Sequence, residues 1–279
     1  MDLVLSRVFH PTSSIPTCLT DSFYSFYLGN HGGSHTKLCL LPDKLPFDIE
    51  KELMMTRILE VLESIPFFAV LSQKDMEALA QQMEYATAPK HTNIYAEGDT
   101  ADHFYILSEG SIKIGTHHED GREVIKQVLH PRMIFGEMAL IQQNSQHHNY
   151  AMSISPVTAY YKIKVEDFRR IMDRSPQLTM SIISMIGLKL RQTENQLESL
   201  IFKDARGRII DFILNNAQAS GRQVGFETLL KHSLTQQDIA NYTGTSRQTV
   251  TAVLNDLRKT NKIYFTRNSI LIRDMTALA

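Results

Sequence analysis

The spacing of apolar positions changes along the chain, and each change marks a different kind of element. Between Thr56 and Pro66 apolar residues recur every three or four positions, which predicts an amphipathic helix that ends at the proline. From about Tyr85 to Val165 the period shortens to two, the spacing of β-strands. Beyond Val165 the helical spacing returns. The chain is therefore predicted to be α+β, with its main group of strands between helical segments.

The period-two region breaks into short apolar runs separated by Gly or Pro turns. These runs are Phe104 to Leu107, Ile112 to Ile114, Val124 to Leu129 and Tyr160 to Ile163. Short strands at this spacing are typical of an antiparallel β-roll or sandwich. Residues 1–53 show no such period and are rich in Ser, Thr, Pro, Gly and His, so they are interpreted as a weakly ordered extension. An alternative is that translation begins at Met54 or Met55, where the regular pattern starts.

A long helix is predicted to begin at Pro176 and to carry a heptad seam. The seam has spacings of three and four and consists of Ile183, Ile186, Leu190, Thr193, Leu197 and Leu200. A helix with such a seam can pair with a copy of itself in a parallel dimer. The alternative is one helix packed on its own strands. The sustained spacing favours the dimer, and the single polar member, Thr193, suggests a role in register or ligand contact.

Two short helices joined by a tight turn are predicted between Thr235 and Leu257. Thr235 with Asp238 can cap the first helix, and Gly244 allows the left-handed backbone where that helix stops. Thr245 and Ser246 can cap the second. The apolar positions of the second helix, which are predicted to face inward, are Val250, Val253, Leu254 and Leu257.

The outward face of this second helix carries Arg247, Gln248 and Thr251. Arg and Gln near a helix N-terminus can form paired hydrogen bonds with base edges in a DNA major groove. The alternative is an ordinary helical hairpin with a polar face. The two caps, the Gly turn and the Arg-Gln pair together favour DNA binding. A hairpin predicted around Arg267 and Asn268 places Arg267 at its tip, in position for a phosphate contact.

Charge supports the same interpretation, and composition excludes several others. Residues 206–279 hold ten Lys and Arg against five Asp and Glu, whereas the rest of the chain holds 19 against 25. A basic C-terminal module on an acidic body is the pattern of a phosphate-backbone binder. Two cysteines, Cys18 and Cys39, are too few for a disulfide framework or a four-thiolate iron–sulfur cluster, and they favour a reducing cytoplasm.

The sequence shows no clear pattern of a membrane span, an enzyme or a metal site. No apolar run reaches the roughly 18 residues needed to span a bilayer. The sequence contains no Gly-rich phosphate loop, no HExxH and no Gly-x-Ser-x-Gly, so an enzyme is not predicted. The paired histidines His117 and His118 are interpreted as solvated side chains in a turn, and no metal site is predicted.

The order of β-roll, long helix and winged helix-turn-helix resembles the cyclic-AMP receptor/fumarate–nitrate regulator (CRP/FNR) superfamily of bacterial transcription factors. The resemblance covers about Thr56 to Asp274. Its most specific segments are Phe135-Gly136-Glu137, Gly207-Arg208-Ile209, Leu234 to Ala240 and Thr245 to Val250. Together with the weakly ordered extension over 1–53, the resemblance divides the chain into a cyclic-nucleotide-binding-like β-roll over 54–175, a dimerisation helix over 176–204 and a DNA-binding domain over 205–279.

The resemblance also implies an effector pocket formed by Gly136, Glu137, His147, His148 and Thr193. In nucleotide-binding members the Glu accepts from the ribose hydroxyl and an Arg neutralises the cyclic phosphate. That Arg position falls on His147 here, and the following Ser position falls on His148. Neutral imidazole is a poor substitute for guanidinium, so tight binding of cyclic AMP is not expected. The cysteine count excludes an iron–sulfur cluster, whereas haem stays open as a ligand.

On the DNA side, Arg247 matches the family position that contacts a guanine. Gln248 replaces the Glu of founding members and pairs better with adenine. Ala252 stands where those members have a second Arg. The DNA half-site is therefore expected to differ in sequence from the one that the founding members bind. Thr251 is assigned to a thymine methyl or a phosphate, and Ser246 and Thr249 to phosphates.

The sequence thus predicts a cytoplasmic bacterial transcription regulator that binds an inverted repeat of double-stranded DNA as a homodimer. An unidentified small effector would control it, and the resemblance implies RNA polymerase as a partner. The alternative is a cyclic-nucleotide- or haem-responsive sensor that regulates a protein partner.

Overall fold

The computed structural model describes residues 47–141 and 146–278. Its helices are α1 Phe47–Glu63, α2 Gln73–Gln81, α3 Met138–Ile141, α4 Val165–Met172, α5 Pro176–Phe202, α6 Ala205–Ser220, α7 Gln236–Thr243, α8 Arg247–Lys259 and α9 Met275–Leu278. The first helix begins at Phe47 and not near Thr56, so the end of the predicted extension is helical. Residues 1–46, and with them most of that extension, lie outside the described residues.

Twelve strands are described, and all their pairings are antiparallel. They are β1 Glu84–Pro89, β2 Asn93–Tyr95, β3 His103–Glu109, β4 Ile112–His117, β5 Glu123–Leu129, β6 Ile134–Phe135, β7 Tyr150–Ser153, β8 Val157–Lys164, β9 Arg222–Val224, β10 Glu227–Lys231, β11 Ile263–Phe265 and β12 Ser269–Ile272. The first eight strands form two four-stranded sheets, β1-β8-β3-β6 and β2-β7-β4-β5. These sheets form the predicted cyclic-nucleotide-binding-like β-roll, called the sensor domain below, and they confirm the predicted α+β fold.

Helices pack against one side of the sensor domain. The central residues of β3, including Phe104 and Ile106, are fully buried together with Leu62 from α1 and Phe168 from α4. Leu178 and Ile182, in the first turns of α5, join the same core. The start of α5 is therefore anchored on the sensor domain.

The later part of α5 is exposed in the single chain. Ile183, Leu190, Leu197 and Leu200 are between 49% and 59% exposed, although they are large apolar side chains. Ile186 differs from the other seam positions because it is half-buried and packs against the sensor core. The hydroxyl of Thr193 donates to the carbonyl of Lys189 at 2.9 Å, so this polar seam member is satisfied within its own helix. Most of the predicted seam thus remains free to pair.

The C-terminal segment that the sequence predicts to bind DNA, called the DNA-binding module below, follows α5 after two non-helical residues, Lys203 and Asp204. Asp204 caps α6 through the amide of Gly207 at 2.7 Å. The four strands after α6 form a sheet in the order β11-β12-β10-β9, which includes the predicted wing as β11 and β12. The β9–β10 hairpin was not predicted, because its strands are short and one of them is fully exposed.

The two predicted helices of the turn motif are present with the expected caps. Thr235 and Asp238 form a reciprocal capping box at the start of α7. Gly244 ends α7 in the left-handed conformation with φ of +62°. Ser246 caps α8 through the amide of Thr249, and the four predicted apolar positions of α8 are buried. Within the described residues no helix is long and apolar enough to cross a membrane.

Candidate DNA-binding surface and effector cavity

The N-terminal turns of α8 present a polar surface away from the module's core. Arg247 and Gln248 are exposed, directly after the Ser246 cap. The hydroxyls of Ser246 and Thr249 lie 2.9 Å apart and are bonded to each other. The helix N-terminus carries unpaired amide donors and a partial positive charge, which favours phosphate nearby. The structure thus places a forked cation and an amide side chain together at an anion-attracting helix end.

Thr251 lies one turn further along α8 and is held by a neighbouring helix. Its hydroxyl is 2.6 Å from the side-chain oxygen of Gln236, at the start of α7, and 2.9 Å from the carbonyl of Arg247. These partners fix the side chain and leave its methyl group as the part free for a base contact. Arg267 is exposed at the tip of the wing, where the amide of Thr266 donates to the carbonyl of Ser269 at 2.8 Å.

A large open cavity of about 1250 Å³ borders the sensor domain, α5 and the DNA-binding module. The residues predicted for the effector pocket all line it, namely Gly136, Glu137, His147, His148 and Thr193. Other lining residues belong to α6 and α7 of the module, among them Phe212 and Tyr242. A ligand in this cavity would therefore border both domains at once.

Gly136 and Glu137 follow β6 directly and form part of the cavity wall, where the backbone is constrained. Gly136 has φ of +74°, and a Cβ added there would lie 2.7 Å from the ring of Tyr105, so a larger residue does not fit. The carboxylate of Glu137 pairs with Lys189 of α5 at 2.8 Å. Behind this segment, Arg169 donates to the carbonyls of Ala139 and Leu140. The cavity wall is thus fixed by contacts to both α4 and α5.

His147 is buried, although the segment around it, Gln146 to Asn149, is polar in sequence. Its ring stacks on Tyr95 with centroids 3.6 Å apart and planes 7° from parallel, and the residue is only 8% exposed. Burial lowers the pKa of His147, so the ring is neutral near pH 7. Its Nε2 atom has no hydrogen-bond partner among the described residues. His148 is exposed beside it.

The Lys and Arg side chains that line the cavity are already engaged. Lys126 donates to Asn149, and Lys203 pairs with Asp211 at 2.7 Å. Arg208 donates to the carbonyls of Lys203, Thr243 and Gly244, and Lys189 pairs with Glu137 as described. An anionic ligand would therefore compete with these partners for a cation.

A buried polar group joins the sensor domain to the DNA-binding module, and sequence reasoning missed it. The Nζ atom of Lys113 on β4 lies 2.8 Å from Glu123 on β5 and 2.8 Å from Asp238 on α7. Glu123 also accepts hydrogen bonds from Tyr150 and from Asn241 of α7, the latter at 2.6 Å. These five residues are called the interdomain cluster below.

The charges in the interdomain cluster stabilise one another despite their burial. Burial alone would lower the pKa of Lys113, but its bonds to Asp238 and Glu123 outweigh this and raise it. Burial would raise the pKa of Glu123 and of Asp238, yet the bond from Lys113 leads the interactions that lower both. All three groups are therefore ionised near neutral pH. The only sequence signal was a lysine between two apolar residues in a strand, which is ambiguous because such a lysine normally points to solvent.

The chain is similar in sequence to known regulators over most of its length. A model described as the cyclic nucleotide-binding domain matches residues 86–175, and one described as the Crp-like helix-turn-helix domain matches residues 207–279. A CRP-like cAMP-activated global transcriptional regulator from Mycobacterium tuberculosis is 32% identical over 79% of this chain and 97% of its own. The global nitrogen regulator of Synechocystis is 27% identical over 77% of this chain and 94% of its own.

Solved structures of low sequence identity share the fold. FixK2 from Bradyrhizobium japonicum has a TM-score of 0.64 at 22% identity, covering 70% of this chain and 95% of its own. The c-di-GMP responsive regulator CLP from Xanthomonas campestris has a TM-score of 0.61 at 19% identity, covering 72% and 99%.

Proposed function

The chain belongs to the CRP/FNR family of transcription regulators, and we propose that it acts as a homodimer that binds an inverted-repeat operator under the control of a small effector. The observation that carries this proposal is the exposed Arg247 and Gln248 at the capped N-terminus of α8. Its relatives by sequence are transcription regulators, which supports DNA binding as the function of the C-terminal module. RNA polymerase is the partner that such a regulator would act upon in the cytoplasm.

The homodimer is supported by the exposed seam of α5. Four large apolar side chains along one helix would otherwise face water, and pairing with a copy of the same helix buries them. A two-fold dimer would then present two copies of α8 to successive major grooves, about 34 Å apart. Inverted-repeat DNA has the same symmetry, so each half-site would meet the same side chains.

The first test is selection of binding sites from random double-stranded DNA. We expect an inverted repeat with guanine opposite Arg247, and with adenine favoured at the position next to Gln248. Binding should weaken steeply with added salt, because Lys and Arg contacts release counterions from the DNA backbone. A protein that enriches no sequence, and whose binding to any duplex is insensitive to salt, would favour the alternative of a sensor that regulates a protein partner.

The effector is proposed to differ from cyclic AMP, although the relative from Mycobacterium tuberculosis is described as cAMP-activated. The guanidinium that would neutralise a cyclic phosphate is replaced by His147, which is neutral and stacked on Tyr95. Glu137 is paired with Lys189 through one carboxylate oxygen, so a ribose hydroxyl would have to share this carboxylate with Lys189. The ligand would instead fill the cavity between domains and change the tilt of the DNA-binding modules.

Calorimetric titration with cyclic AMP near pH 7 should therefore show no tight binding. Loss of a paired, charge-assisted contact to phosphate removes about 1.5–3 kcal/mol of binding energy. A cyclic-AMP-activated relative serves as the positive control under the same conditions. A submicromolar dissociation constant for this protein would overturn the assignment of His147.

A further inference from the structure

We propose that the interdomain cluster is a latch that fixes the DNA-binding module in the orientation in which it binds the operator. The cluster consists of Lys113, Glu123 and Tyr150 from the sensor domain and Asp238 and Asn241 from α7 of the module. The proposal rests on the proposed DNA-binding function, and it adds a means by which the sensor domain sets the position of α8.

The covalent connection alone leaves the module's orientation open. Between α5 and α6 only Lys203 and Asp204 are non-helical, and both have extended backbones. Changing a few backbone torsions in such a connector swings everything that follows it. The orientation must therefore be selected by contacts between the module and the rest of the chain.

The latch supplies such contacts from both sides. Lys113 lies between one carboxylate of the sensor domain, Glu123, and one of the module, Asp238, at 2.8 Å from each. If the module swung away, Asp238 would lose its cation and Glu123 would lose the amide of Asn241. Both carboxylates are at least 80% buried as side chains, so these partners are not simply replaced by water at no cost.

Apolar packing surrounds the polar contacts. Ile125 and Val128 of β5, with Ile154, are buried in the same cluster as Ile239 and other core residues of the module. Separation would expose these side chains together with the charges. Apolar burial alone does not select one orientation, because the hydrophobic effect is non-directional. The polar cluster therefore fixes the orientation of the module relative to the sensor domain.

The latched orientation leaves the DNA-facing surface free. The side of α7 that carries Asp238 and Asn241 is turned to the sensor domain, whereas Arg247 and Gln248 of α8 are exposed. Because α7 and α8 pack together, holding α7 also holds α8. In a dimer, two modules held in this way need no further ordering when they bind both half-sites, and pre-organisation of this kind increases affinity.

The test compares three variants of the full chain with a control. Lys113→Met removes the cation from the latch, and Lys113→Arg keeps it. Asn241→Ala removes the hydrogen bond to Glu123 and, within α7, the one that Asn241 accepts from Gln237. Lys162→Met is the matched control, because Lys162 pairs with Glu84 inside the sensor domain at 3.1 Å. Asp238 is left unchanged because it also caps α7. Thermal unfolding is measured for each variant, and Asn241→Ala carries the test if Lys113→Met does not fold.

Two measurements are made on each protein. Spin labels on cysteines introduced at Val157 in the sensor domain and Phe226 in the module, both exposed, report the distance between domains. Cys18 and Cys39 are replaced by serine, and labelled chains are diluted with unlabelled ones so that only distances within a chain are seen. Fluorescence anisotropy gives the dissociation constant for the operator selected from random DNA.

We expect a narrow distance distribution for the wild type, the control and Lys113→Arg. Lys113→Met should broaden the distribution and weaken operator binding by about tenfold or more, and Asn241→Ala should do so to a smaller extent. Unchanged distances in both disrupted variants, or operator binding that becomes tighter in them, would overturn the latch. If the wild type selects no operator, the proposed function fails, and the distance distributions alone then decide whether the cluster fixes the module.

Discussion

Replacing Arg247 with alanine is expected to abolish sequence-selective DNA binding while leaving the dimer intact. The side chain is exposed at the first position of α8, and its removal disturbs no buried contact. A forked Arg contact to guanine contributes about 1–3 kcal/mol per site, so a dimer that loses two of them loses about 2–6 kcal/mol. The measurement is footprinting and anisotropy on the selected operator, with sedimentation to confirm the oligomeric state.

Lys259→Ala is the control for this experiment. Lys259 is exposed at the last turn of the same helix, at the opposite end from the proposed base contacts. Its loss should weaken binding to operator and unrelated DNA by similar, small factors. An unaltered footprint in the Arg247 variant would show that α8 does not contact bases as proposed.

The second large effect is expected when acidic residues interrupt the seam of α5. Leu190→Asp combined with Leu197→Asp places charges where two helices are proposed to meet, and both side chains are more than half exposed in the single chain. The folded chain should survive, because neither residue belongs to the sensor core. The dimer should dissociate, since charges at core positions of a helix pair cannot be buried without partners.

Loss of the dimer should weaken operator binding by about 10²–10⁴-fold, because the two DNA-binding modules are then no longer linked and each binds its half-site independently. Leu188→Asp is the matched control: Leu188 is 61% exposed on the same helix but lies outside the seam. Sedimentation velocity and anisotropy measure the two effects. A double variant that remains dimeric, or a control that dissociates equally, would place the interface elsewhere.

Sequence patterns predicted those elements whose determinants are local. The capping box at Thr235, the left-handed turn at Gly244 and the cap at Ser246 each depend on residues within four positions of one another, and all are confirmed. Four of the eight strands of the β-roll, β3, β4, β5 and β8, followed from short apolar runs in the period-two region. The β9–β10 hairpin was missed because Arg222–Val224 is exposed throughout and shows no alternation to detect.

The candidate sites were predicted less completely, because they depend on residues that are distant in the chain. The sequence placed His147 near the effector pocket, but its stacking partner Tyr95 lies more than fifty positions away. Lys113 and Asp238 are 125 positions apart, and each had a sufficient local explanation, one as a strand lysine and the other as a helix cap. Such contacts arise only when distant segments of the chain meet in the folded structure, so local periodicity carries no signal for them.

The contacts that hold the DNA-binding module on the sensor domain limit which operators the protein can accept. Inserting a single base pair between half-sites turns one of them by about 34–36° around the duplex axis, since B-DNA completes a turn in 10–10.5 base pairs. Lys203 and Asp204 could let the module follow that turn only if the interdomain cluster and the apolar packing around it were broken. The protein should therefore discriminate spacer length as strictly as it discriminates bases, and promoters with the correct half-sites at the wrong separation would escape its control.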